Sequence, residues 1–274
     1  MTRLARSSLV LLAFLSGSAF AASPDAEKAQ RLTVPLTDPG RPVTLSASLF
    51  SGGMVLEGYD GNQIVIEVQR GQEQPSPERS GGMRVIPNRS LGLTVEEENN
   101  EVSISSDFTS KIDQILVKVP RKTSVAASTV QGGDLVIRGV EGEMELSNTN
   151  GSITAIDIGG SVVAQSTNGD IKVTFTSIPS GKSMSFITFN GDVDVTFPGD
   201  LKADLRLSAG QGEIYTDFDF DLIPTEGEMK TEKSGKKYRV QLDQDVRARI
   251  RGGGPEMHFK TWNGDIFIRK HAAR

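Results

Sequence analysis

The chain has no cysteine, two histidines and one tryptophan among 274 residues. Without cysteine there are no disulfides, thiolate metal ligands or cysteine nucleophiles, and no cysteine to carry a lipid anchor. A domain of this length without disulfides must be held by its apolar core, and the length suffices for one. His258 and His271 stand 13 residues apart with no carboxylate or second histidine at ligand spacing, so they point to no metal site. No serine sits in a G-x-S-x-G elbow, and no triad can be composed. A basic excess is lacking too: 30 Lys and Arg face 35 Asp and Glu, for a formal net charge of −5. That balance argues against a nucleic acid or an anionic membrane as partner.

Long apolar runs are missing except near the start. Arg3 and Arg6 precede the run Leu9 to Leu15, and small residues follow up to Ala19-Phe20-Ala21. This is the pattern of a cleaved signal peptide over residues 1–21, with the mature chain starting at Ala22. The run is far short of the roughly 20 residues that span a bilayer as a helix. The expectation is export through the inner membrane to the periplasm or beyond, with no transmembrane segment. Residues 22–31 read as a flexible mature N-terminus and 32–270 as one domain.

After the leader, helix signals are nearly absent. Alternating runs such as Ile64-Val65-Ile66-Glu67-Val68 and Asp192-Val193-Asp194-Val195 recur between Gly, Pro, Asn and Asp. That is an all-β pattern. Gly133, Gly142, Gly151, Gly160 and Gly169 are each nine residues apart. Two residues after them stand Leu135, Met144, Ile153, Val162 and Ile171; four after, Ile137, Leu146, Ala155, Ala164 and Val173. The seventh position divides the units into Val140 and Ile158 against Thr149, Thr167 and Thr176, so the full period is 18.

Such repeats describe a unit that buries its apolar face only by stacking on copies of itself. The best reading is a single-domain β-solenoid of short strands with Asn-Gly and Gly-Gly turns and 18-residue coils. An antiparallel meander or sandwich is the alternative, because Asn-Gly between alternating runs is also a hairpin signal. A calcium-binding roll shares the nine-residue period but needs an Asp at the ligand place of its units, and no unit has one there. The same openings return at Asn190-Gly191-Asp192, Gln211-Gly212-Glu213 and Asn263-Gly264-Asp265, with the insertions between them reading as longer loops on a regular stack.

Turn roles account for most of the polar residues at these openings. Asp170, Asp192, Asp265 and Glu213 form a potential column of acids down one edge. Carboxylates about 5–10 Å apart can cleave glycosidic bonds, but Asp in turns accepts backbone N–H bonds, and Ser152 holds the same place in another coil. Asn150, Asn168, Asn190 and Asn263 suit positive φ at a turn or a ladder of amides between coils. Phe189 and Trp262 precede two of these asparagines, as packing at the turn or as an aromatic pair offered to a sugar. Lys230, Lys233, Lys236, Lys237 and Arg239, interleaved with Glu226, Glu228 and Glu232, read as a solvated hairpin loop.

The succession ILVKVP, GGDLVIRGVEGEMELSNTNGSITAIDIGGSVVAQSTNGDIKV, ITFNGDVDVTFP and the closing GGGPEMHFKTWNGDIFIRK resembles the adhesin family DUF4097, β-strand repeat proteins, over roughly residues 32–270. The resemblance implies a β-solenoid-like exported or envelope protein. The family has no agreed catalytic residues, so none is carried over. The expected function is a non-catalytic cell-envelope structural or interaction module, without cofactor, whose partner is an envelope protein or a glycan. A carbohydrate-active enzyme on a β-helix-like scaffold and an envelope-stress sensing partner are the alternatives.

Overall fold

The computed structural model describes residues 30–71, 91–224, 228–234, 237–243 and 245–271. Residues 1–29, where the sequence predicts a leader, its cleavage site and most of a flexible N-terminus, together with Glu226 and Lys236, lie outside the described residues. Among those residues the chain is built of strands without helices. In chain order these are β1 (Gln30–Pro35), β2 (Val43–Ser51), β3 (Gly53–Tyr59), β4 (Gln63–Arg70), β5 (Leu93–Glu98), β6 (Glu101–Ser106), β7 (Ile112–Pro120) and β8 (Thr123–Gln131). Then come β9 (Leu135–Arg138), β10 (Glu141–Asn150), β11 (Ile153–Asn168), β12 (Ile171–Ser177), β13 (Met184–Asn190), β14 (Val193–Phe197) and β15 (Ala203–Ala209). The last are β16 (Ile214–Thr216), β17 (Asp221–Ile223), β18 (Glu228–Ser234), β19 (Lys237–Asp243), β20 (Val246–Ile250), β21 (Glu256–Asn263) and β22 (Ile266–Lys270).

The repeat folds as a two-faced β-solenoid. One sheet runs β5, β6, β2, β8, β10, the second half of β11, β13, β21, β15, β20, β17. The other runs β1, β4, β7, β3, β9, the first half of β11, β12, β14, β22, β16. The stacked coils pair in parallel, as β10 does with β11 and β12 with β14, which a hairpin meander cannot do. Each coil gives one strand to each sheet and turns between them at the Asn-Gly positions. The nine-residue unit is thus one face, and the 18-residue unit one full coil.

The core lies between the sheets. Every apolar residue at the second and fourth positions of the five central units is buried, from Leu135 and Ile137 to Ile171 and Val173. Burying each large aliphatic contributes about 1.5–3 kcal/mol. Val140 and Ile158 are also buried, whereas Thr149, Thr167 and Thr176 are exposed. A bulge sets Phe175 opposite Ile158, so phenylalanine takes the inward place there. From this coil onward the core is aromatic: Phe175 stacks on Phe197 and Phe186 on Phe259, both at 5.1 Å, with edge contacts between the columns.

Three features depart from the sequence expectation. First, coil order is not chain order. The β21–β22 coil lies between the β13–β14 coil and the β15–β16 coil, and the β2–β3 coil lies between the β6–β7 and β8–β9 coils. Second, the insertions are not plain loops. The insertion between Gln211 and Asn263 supplies antiparallel strands β20 and β17, which close one end of the stack, as β4, β1 and β5 from the first part of the chain close the other. The stretch holding Lys230, Lys233, Lys237 and Arg239 is itself the antiparallel pair β18–β19. Third, Gly142 and Gly160 lie inside strands rather than in tight turns, and β11 passes Gly159-Gly160 while crossing from one sheet to the other.

Candidate functional site: the Asn-Gly edge and the opposite cleft

The Asn-Gly turns stack into one edge of the solenoid. Asn168 donates its amide to Asn150 Oδ1 at 2.9 Å, Asn190 to Asn168 at 2.8 Å and Asn263 to Asn190 at 2.6 Å. None of the four has a positive φ; among the described residues the non-glycine positions that do are Asn99, Asn100, Asp157 and Arg251. The asparagines are therefore selected for the amide ladder and not for left-handed backbone. The chain reversal falls on the next residue. Gly169 has φ 156° and Gly191 141°. A Cβ on Gly169 would run into the Gly151 carbonyl of the neighbouring coil, so the glycines are needed where backbones approach most closely. Gly133, Gly151 and Gly264 are closed in the same way.

The residues after these glycines form the expected column, and its geometry assigns their work. The Asp134 carboxylate accepts the Ser152 N–H, the Ser152 hydroxyl accepts the Asp170 N–H, and Asp170 Oδ1 accepts the Asp192 N–H at 2.9 Å. Asp192 Oδ1 then accepts the Asp265 N–H and Asp265 Oδ1 the Glu213 N–H, both at 2.8 Å. Each side chain satisfies a backbone donor of the next coil.

Sequence reasoning missed a third column just inside the edge. Thr129, Asn148, Ser166, Thr188 and Thr261 are polar yet buried. Asn148 donates to the Gly133 carbonyl, Ser166 to Gly151, Thr188 to Gly169 and Thr261 to Gly191. These four each cap a turn carbonyl of an adjacent coil, whereas the Thr129 hydroxyl and Asn148 Oδ1 are buried without a hydrogen-bond partner. The signal was there: a polar residue at the sixth position, in phase with the buried second and fourth.

The opposite edge holds an open cleft of about 1000 Å³, lined by Glu57, Arg121, Arg138, Asp157, Thr176 and His271. Its charges pair across coils. Arg121 Nε donates to Asp60 at 2.7 Å, which lowers the Asp60 carboxyl pKa and raises that of the guanidinium. Arg138 faces Glu57 at 3.8 Å. His271 lines this cleft, while His258 is half-buried on β21, in register with Arg206. Desolvation, then the Arg206 charge, pushes the His258 pKa down. Among the described residues no three His, Cys, Asp or Glu converge as metal ligands, and no helix is long and apolar enough to cross a membrane.

Residues 129–253 match the family model described as Toastrack DUF4097. The match runs from the end of β8 to just past β20. The closing coil, β21–β22, falls outside the matched residues yet stacks in the interior of the same solenoid. Two solved structures are similar at 10 % identity. One is a candidate cell adhesion protein of Clostridium sporogenes ATCC 15579, with TM-score 0.45, covering 89 % of this chain and 100 % of that one. The other is a candidate adhesin of Parabacteroides merdae ATCC 43184, with TM-score 0.27, covering 90 % and 98 %. No curated protein matches this chain.

Proposed function

We propose that this toastrack chain is an exported, non-catalytic repeat protein that serves the cell envelope as a structural or interaction module. The observation that carries the reading is the acid column. A catalytic pair at Asp170 and Asp192 needs one carboxylic acid to donate a proton and one carboxylate to attack or to activate water. Here the Oδ1 of each accepts a backbone N–H from the next coil, and Ser152 does the same work one coil earlier. The column continues a structural device along the stack. The Toastrack match and the leader pattern at residues 1–21 support the same reading.

The test is a screen of the purified protein against polysaccharides for released reducing ends, beside the double variant Asp170→Asn, Asp192→Asn. The reading expects no release from either protein. Turnover that vanishes in the double variant overturns it and makes the edge an active site. Intact mass of the exported protein supplies the second arm: a mature chain starting at Ala22 agrees, and a retained Met1 on the exported protein contradicts.

A further inference from the structure

Just before each turn the strand carries an outward side chain, and the register sets Phe50, Val130, Thr149, Thr167, Phe189 and Trp262 in one row along the edge. The row is apolar at both ends and threonine in the middle. Phe189 and Trp262 are 51 % and 50 % exposed. Their rings lie parallel within 1° at 6.1 Å. Trp262 is seated against Gly210 of the next coil, where an added Cβ would meet its ring at 3.3 Å. Two aromatic rings fixed on rigid strands and left half in water gain little from folding. Threonine fills the same place in the two preceding coils.

The neighbouring ladder leaves hydrogen-bonding capacity beside the rings. A carboxamide has two N–H donors and two acceptor lone pairs. The ladder uses one of each at Asn168 and at Asn190. One donor and one acceptor per coil remain, repeating at the strand spacing of about 4.8 Å. That spacing is close to the advance of one pyranose along an extended β-linked chain. No member of the row is charged, and Asp170, Asp192 and Asp265 stand just across the turn. Their charge disfavours phosphate, sulfate and uronate groups.

We propose that the Phe189–Trp262 pair, with the amides of Asn168 and Asn190, binds an uncharged β-linked polysaccharide. The apolar faces of the sugars rest on the rings and their hydroxyls bond to the amides. This rests on the reading of the chain as a non-catalytic interaction module and gives that module its ligand class.

Trp262 is the one tryptophan of the chain, so its emission reports on this site alone. The full chain is titrated with mixed-linkage β-glucan and with xylan, and with polygalacturonate as the anionic arm. Tryptophan emission and retardation in glycan-containing native gels are followed together. The expected result is a saturable emission change and retardation with at least one uncharged glycan, and neither with polygalacturonate. Phe189→Ala weakens binding about tenfold. Phe220→Ala, an exposed ring beyond the end of β16, leaves binding unchanged. The absence of binding to both uncharged glycans overturns the inference, as does equal binding by Phe189→Ala or by polygalacturonate. Any of these results, without sugar release, leaves the non-catalytic module standing; sugar release overturns that reading instead.

Discussion

Asn190 and Asn263 are 73 residues apart in the chain and neighbours in the stack, the Asn263 amide donating to Asn190 Oδ1 at 2.6 Å. The bond joins the last coil in sequence to the middle of the solenoid. The final β21–β22 coil is thereby held on both sides, by β13 and β14 on one and by β15 and β16 on the other.

The ladder makes a stability prediction. Asn168 sits at its centre, donating to Asn150 and accepting from Asn190. Asn168→Leu removes both bonds and is expected to lower unfolding free energy by about 1–2 kcal/mol. Denaturant melts check this; an unchanged midpoint means that water replaces the ladder at no cost.

Close stacking at the turn makes another. Gly169→Ala places a methyl against the Gly151 backbone and is expected to lose about 1–3 kcal/mol. The loss is read from the denaturation midpoint at constant slope.

The inward and outward phases of β12 are separable. Ile171 is fully buried and Lys172 exposed. Ile171→Ala should lose about 2–5 kcal/mol, and Lys172→Ala should stay within about 0.5 kcal/mol of the parent. A larger effect at Lys172 reverses the phase of the strand.

Acid should destabilise the fold in two windows. Burial and the Arg206 charge hold the folded His258 below its ordinary 6.5, with Lys260 also opposing its protonation and Asp245 and Glu256 favouring it. The unfolded chain then binds the proton more readily, so stability present above that value falls as pH drops from it through the folded pKa. His258→Gln should flatten this part of the pH–stability profile. The second window lies lower. Arg121 holds the Asp60 carboxyl below its usual 3.8, and the Thr37 and Asn100 N–H groups hold Glu97 below 4.5. Their stabilisation is complete above those values and is lost as pH falls through the lowered ones. Melting temperatures across the acid range show both steps.

Some of this structure was legible in the sequence. Nine-residue spacing from Gly133 to Gly169 located the strands, the 18-residue coil and the buried columns, because inward residues of stacked coils obey one offset. The asparagine ladder and the acid column were also visible as recurring pairs of residues. Coil order was not. A coil such as β21–β22 offers the same edges to any neighbour, so the repeat that defines the coil carries no record of which coil lies beside it. The alternation Ile64–Val68 marked β4 as a strand, but its antiparallel closing place, like that of β20, was hidden for a related reason: each occurs once, outside the period. The burial of Thr188 and Thr261 was not legible because a polar residue in a strand ordinarily faces solvent, whereas here turn carbonyls take donors from within.

The most direct test of the account is cysteine cross-linking, clean in a chain with no cysteine of its own. Ile187 and Lys260 face each other across β13 and β21, and Lys260 faces Ser208 across β15. Adjacent coils stand about 4.8 Å apart, within the Cα separation of about 4.4–6.8 Å that a disulfide accepts. Oxidation of the Ile187→Cys, Lys260→Cys protein should give an internal disulfide in high yield, and the Ile187→Cys, Ser208→Cys protein almost none. The reverse yields, which a stack in simple chain order requires, contradict the account.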